Sequence, residues 1–138
     1  MSESQSAAFL KEILGRAIDA LAEGRRDHIY RRDFQTGRRV IWHFDNNLER
    51  LNACCEFDIE NEEDYWGVVL DCLEAALADP VGSYKKPEEP TCSHSEAYGH
   101  EMFAFVVQLD DFTRPVYTKF CLIDRSDGRW YISIDCHT

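Results

Sequence analysis

The sequence predicts an α+β fold, with two main helices packed on a C-terminal antiparallel sheet of at least three strands. Three observations carry this reading. Apolar residues recur at helical spacing over residues 7–23 and again over about 62–78. After residue 103 the period switches to strict alternation, in three successive runs. At 138 residues, 44% of them hydrophobic, the chain suits a single domain over residues 1–138 with a sizeable core.

The first helix follows from Phe9, Leu10, Ile13, Leu14, Ala17, Ile18 and Leu21, which fall on one face. Residues 1–6 are polar and expected to be disordered. Gly24 fits the helix end, and Arg25 and Arg26 suit its negative pole. Residues 29–44 read either as a hairpin around Gly37 that adds to the sheet or as a loop leading to one strand. Arg25, Arg26, Arg31, Arg32, Arg38 and Arg39 are six of the fifteen basic residues, and their ordinary reading is a solvated face. Asn46 or Asn47 is placed to cap a short helix through Leu48 and Leu51. The acidic run Asp58–Glu63 opens a longer helix, about Glu62 to Ala78, which Pro80 stops. Residues 80–100, punctuated by Pro80, Gly82, Pro87, Pro90 and Gly99, read as a long loop. Loops beyond roughly 12–15 residues are commonly functional.

Three strands close the chain. Phe103, Phe105, Val107 and Leu109 share a face. So do Val116, Thr118, Phe120 and Leu122, and then Trp130, Ile132, Ile134 and Cys136. Apolar sides must point the same way, so opposed residues of the last two strands must have an even sum. One register sets Tyr117 opposite His137, Lys119 opposite Asp135 and Cys121 opposite Ser133. A register two residues tighter sets Tyr117 opposite Asp135 and Lys119 opposite Ser133. Either one gathers Tyr117, Lys119, Ser133, Asp135 and His137 on one face, a set suited to acid–base work on a phosphodiester. The plainer reading of Lys119 and Asp135 is a surface ion pair.

Charge and cysteine content narrow the function classes. The net charge of −11 gives no general attraction to phosphate backbones, so a nucleic-acid role needs a local basic patch. Charge alone points to an acidic inhibitor of a basic partner. No apolar run approaches the roughly 20 residues of a membrane span, and Met1–Gln5 lacks the features of a secretory signal, so a cytoplasmic location is expected. Cys54, Cys55, Cys72, Cys92, Cys121 and Cys136 include no CxxC pair and read as reduced thiols, mostly in the core. Cys92, His94 and His100, with Cys136 or His137, have the chemistry of metal ligands but no known ligand spacing. Trp42, Trp66, Trp130, His28 and His43 read as structural residues.

From about Leu51 onward the chain resembles the RelE superfamily of bacterial toxin ribonucleases, in particular the MqsR-like group. Leu51-Asn52-Ala53, an acidic segment, a helix and then Tyr84-Lys85 are similar to that group's helix and Tyr-Lys element. Val116-Tyr117-Thr118-Lys119 resembles its Val-Tyr-x-Lys strand, and Ile132-Ser133-Ile134-Asp135 its terminal strand. The resemblance implies RNA cleavage without metal or cofactor, held in check by an antitoxin. Lys85 would stabilise phosphate and Tyr117 would orient or exchange a proton. The family's terminal Lys or His falls on Asp135, with His137 two residues on as its substitute. Lys119 completes the candidate catalytic set Lys85, Tyr117, Lys119, Asp135 and His137. Lys86, His100, Arg38 and Arg39 are the substrate-binding candidates. The competing expectation is a non-enzymatic immunity or antitoxin-like protein, using Glu60, Glu62, Glu63, Asp64, Asp71 and Glu74 against a basic toxin.

Overall fold

The structure, a computed structural model, describes residues 6–28, 30–41, 44–93, 98–124 and 130–137. The chain is α+β. Its described helices are α1 (Ala7–Ala22), α2 (Phe44–Cys54), α3 (Glu62–Ala78) and the single turn α4 (Pro80–Ser83). Its strands are β1 (Arg26–His28), β2 (Tyr30–Arg32), β3 (Arg39–Ile41), β4 (Phe103–Val107), β5 (Val116–Asp124) and β6 (Trp130–His137). Four strands form one sheet in the order β1-β6-β5-β4, and β2 pairs with β3 in a separate two-stranded sheet.

Local chemistry explains where the helices begin and end. Ser6 caps α1 by accepting from the Phe9 amide. Gly24, at φ +75°, turns the chain away from α1, and the Arg26 guanidinium donates to the Leu21 carbonyl at 3.0 Å. Asn61 caps α3 and Glu62, Glu63 and Asp64 fill its first turn, where the helix dipole favours negative charge. α2 begins at Phe44, earlier than an Asn46 or Asn47 cap would place it, so both asparagines lie inside the helix.

Residues 80–100 are not one continuous loop. Asp79 ends α3 and caps α4, accepting from the Gly82 amide. Isolated bridges then pin the segment: Tyr84 to Phe105, Thr91 to Glu101, and Cys92 to Tyr98. Proline and glycine content concealed this, because each bridge fixes only one or two residues.

The hairpin around Gly37 forms, but as its own sheet and not as an addition to the main one. The strand that does join is β1, which runs parallel to β6 with Asp27 beside Ser133. Its charged sequence Arg26-Asp27-His28 shows no apolar alternation, so periodicity could not reveal it. Trp42 and His43 lie outside the described residues.

The helices cover one face of the main sheet. Phe103, Phe105, Val107, Val116, Phe120, Ile132, Ile134 and Cys136 pack there with Leu10, Leu14, Leu51, Tyr65, Val69 and Leu73. Burying each large side chain stabilises the fold by about 1.5–3 kcal/mol. Cys92, Met102, Cys121 and Ile123 form a second cluster under the pinned segment. The six cysteines are thiols outside any disulfide, and five of them are buried. Among the described residues no helix is long and apolar enough to cross a membrane.

One buried polar contact ties a helix to the last strand. The Cys136 amide donates to the Tyr65 hydroxyl at 3.1 Å, and Tyr65 is almost fully buried. Tyr65→Phe removes that acceptor while keeping the ring. The expected cost is about 1–3 kcal/mol, read as a lower urea midpoint with an unchanged slope.

Candidate functional site

The β5–β6 pairing takes the first of the two admissible registers. Tyr117 is the partner of His137, Lys119 of Asp135, and Cys121 of Ser133. On its other side β5 pairs with β4, setting Ala104 beside Lys119 and Val106 beside Tyr117. The Lys85 amide donates to the Ala104 carbonyl at 2.9 Å, which extends this row beyond the edge of β4. Lys85, Ala104, Lys119 and Asp135 thus occupy successive places across the sheet.

Ala104 is the small residue of that row, and it is fully buried between the two lysine positions. The Lys85 ammonium lies 5.9 Å from the centroid of the Tyr117 ring, a cation–π arrangement. Lys85 is exposed, while Tyr117 and Lys119 are half-buried. Lys85, Tyr117 and Lys119 therefore stand together, with backbone positions 135 and 137 opposite the latter two. The side chains of Ser133, Asp135 and His137 lie outside the described residues. Chemically the set offers two cations and a phenol beside a carboxylate position and an imidazole position. Such a surface can bind an oxyanion and exchange protons with it.

The remaining sequence candidates are distributed elsewhere. Lys86 is exposed next to Lys85. His100 precedes β4, and its carbonyl accepts from the Cys92 amide, so it belongs to the pinned segment at the Cys121–Ile123 end of the sheet. Arg38 and Arg39 are exposed on the β2–β3 hairpin. Cys92 and Cys136 sit in different apolar clusters on opposite sheet faces, so one ion cannot take both. Among the described residues no three His, Cys, Asp or Glu side chains gather as a metal site. His94 lies outside them.

A second polar cleft, of about 260 Å³, has Gly24, Arg26, Asp27, His28, Tyr30, Glu62 and Trp66 for walls. His28 is buried, and its Nε2–H donates to Glu62 Oε1 at 2.8 Å. Its ring lies 4.7 Å from Trp66, while the Arg26 guanidinium covers Trp66 at 5.3 Å. Tyr30 stays protonated above the ordinary phenol range, chiefly through burial and then through the charge of Asp27 and a hydrogen bond to it. These contacts anchor β1 and the base of the hairpin to the start of α3. Sequence reasoning saw His28 as structural but could not supply its partner 34 residues away.

The acidic surface divides by cause. Glu62 holds His28, and Asp64 accepts from the Glu60 amide, so much of the acidic run serves the entry to α3. Farther along α3, burial first and then Glu74 and Asp111 raise the Asp71 carboxyl above its ordinary 3.8. The folded chain holds that proton more tightly than the unfolded chain. Its stabilising contribution is complete below pH 3.8 and is lost as pH rises through the higher folded value. Asp71→Asn is expected to stabilise the protein at pH 7 by under about 0.5 kcal/mol, the scale of screened surface charge. The gain should vanish near pH 3, which paired urea titrations would measure. Neither protein-family models, nor curated proteins, nor solved structures yield a match to this chain, so its function is read from the side chains themselves.

Proposed function

We infer that this protein is a toxin-type ribonuclease of the RelE/MqsR-like kind, acting through the uncovered part of its sheet face. The observation that supports this most is the meeting of Lys85 with Tyr117, beside Lys119, across the strand from positions 135 and 137. His137, or Asp135 beside it, takes the proton of a ribose 2′-hydroxyl. The oxygen attacks the adjacent phosphorus, and Lys85 and Lys119 hold the charge of the phosphorane. The bond from phosphorus to the 5′-oxygen breaks, and that oxygen leaves with a proton from Tyr117. The products are a 2′,3′-cyclic phosphate and a free 5′-hydroxyl. The reaction needs no cofactor, and a protein antitoxin restrains it in the cytoplasm.

A second reading rests on the carboxylates of Asp71, Glu74 and Asp111. They come from two separate elements, yet lie close enough to raise Asp71. With a net charge of −11, such a face would steer the chain onto a basic toxin as its inhibitor.

Expression tests the two readings against each other. On the ribonuclease reading, wild-type expression arrests growth and the purified protein cuts single-stranded RNA. Tyr117→Phe and His137→Ala should each slow cleavage by about 10²–10⁴-fold, with unchanged circular dichroism. Lys85→Ala should cost on the order of 10²-fold. Harmless expression with intact RNA would instead support the inhibitor, whose capture of a cationic partner should weaken steeply with salt.

A further inference from the structure

The β2–β3 hairpin has no part in the chemistry above, and it is built in an unusual way. Its turn is closed by bonds among its own residues. Asp33 Oδ2 accepts from the Thr36 amide at 2.9 Å and from the Thr36 hydroxyl at 2.8 Å. The Gly37 amide donates to the Asp33 carbonyl, and the Asp33 amide to the Arg38 carbonyl. The Arg32 guanidinium donates to the Gly37 carbonyl at 2.6 Å. Gly37 takes φ +70°, which a side chain would resist. Beneath the turn, the Arg39 guanidinium lies 4.2 Å above the Tyr30 ring.

This ordered turn holds Phe34 in water, fully exposed at 102% of its reference area. A phenylalanine left exposed forgoes about 1.5–3 kcal/mol of burial, and this hydrogen-bonded turn offers its ring to a ligand. The described hairpin side chains near it include exposed Arg32, Arg38 and Arg39 and the carboxylate of Asp33. The rest of the chain is acidic, so any polyanion must be attracted locally.

Topology puts this arm at the right end of the sheet. β1 runs parallel to β6 and leaves it at His28, beside Ile134. It is then heading the same way as β6, which ends at His137 opposite Tyr117. Tyr30 is two residues on, at most about 7 Å of chain, so the hairpin starts from the end of the sheet that holds the Tyr117–His137 pair.

We propose that the β2–β3 hairpin is a single-stranded RNA-binding arm, in which Phe34 stacks on an unpaired base while Arg38 and Arg39 take the flanking phosphates. An aromatic face among guanidinium groups matches the repeating base and phosphate of a single strand. A duplex keeps its bases stacked and out of reach. A protein partner or a second copy would need a contiguous apolar area, which one phenylalanine at a turn does not supply. The choice of RNA rests on the ribonuclease reading, but arm and chemistry are separable.

The test is fluorescence anisotropy of the full chain with a labelled 2′-O-methyl RNA oligonucleotide, which binds but cannot be cut. Phe34→Ala should weaken binding by about 10-fold or more, and Phe34→Trp should restore it. Arg38→Glu with Arg39→Glu should weaken binding further and flatten its salt dependence. Normal affinity in the Phe34 and arginine variants, with circular dichroism unchanged, would overturn the arm. So would loss of self-association or of acidic-protein binding in place of RNA binding. RNA binding lost with Phe34→Ala in a protein that never cleaves RNA would uphold the arm and reject the catalytic reading alone.

Discussion

The pairing of β5 with β6 is the constraint from which both faces of the molecule follow. With Thr118 opposite Cys136 and Phe120 opposite Ile134, the apolar positions of both strands meet the helices. The intervening positions, Tyr117 and Lys119 among them, are then committed to the other face. A slip of one residue would put lysine and tyrosine into the core and expose phenylalanine and isoleucine. The Cys136 amide bonded to Tyr65 and the Thr118 hydroxyl 3.6 Å from Cys136 Sγ supply polar contacts inside that core. The Thr118–Cys136 contact, which joins the two strands, favours this register over the one two residues tighter, which hydrophobic parity alone would allow.

That division explains why some of the molecule was legible in the sequence. α3 runs from Glu62 to Ala78, because an asparagine cap, an acidic first turn and a following proline all mark its limits locally. The grouping of Tyr117 and Lys119 was legible because parity is a property of the two strands themselves. β1 was not, since three polar residues carry no period and their parallel partner lies about a hundred positions later. The pinning of Lys85 beside Ala104 was equally hidden. It depends on one backbone hydrogen bond, and no residue type announces a carbonyl acceptor. The His28–Glu62 bond and the charge crowding at Asp71 are likewise products of distant elements brought together by the core.

The charge, strongly acidic as a total, is unevenly placed. Carboxylates gather at the start of α3, where the helix dipole and His28 use them. Arginines gather on the β2–β3 hairpin, and Lys85 and Lys119 on the sheet face away from the helices. An acidic chain with two small cationic places attracts a polyanion only where those places can reach it. Binding is then directional, and it falls with salt according to the few phosphates neutralised.

The pinned segment completes this division of the sheet. Residues 90–93 and 98–102 lie at the Cys121–Ile123 end, where Cys92 and Met102 form an apolar layer. The Tyr117–Lys119 end receives no such layer from that cluster. Among the described residues this layer lies where the outward residues of the sheet are apolar, and the half-buried Tyr117 and Lys119 lie beyond it, toward the end from which the hairpin leaves. Burial decides which half of the face is core, and the same decision leaves the polar half accessible to a ligand.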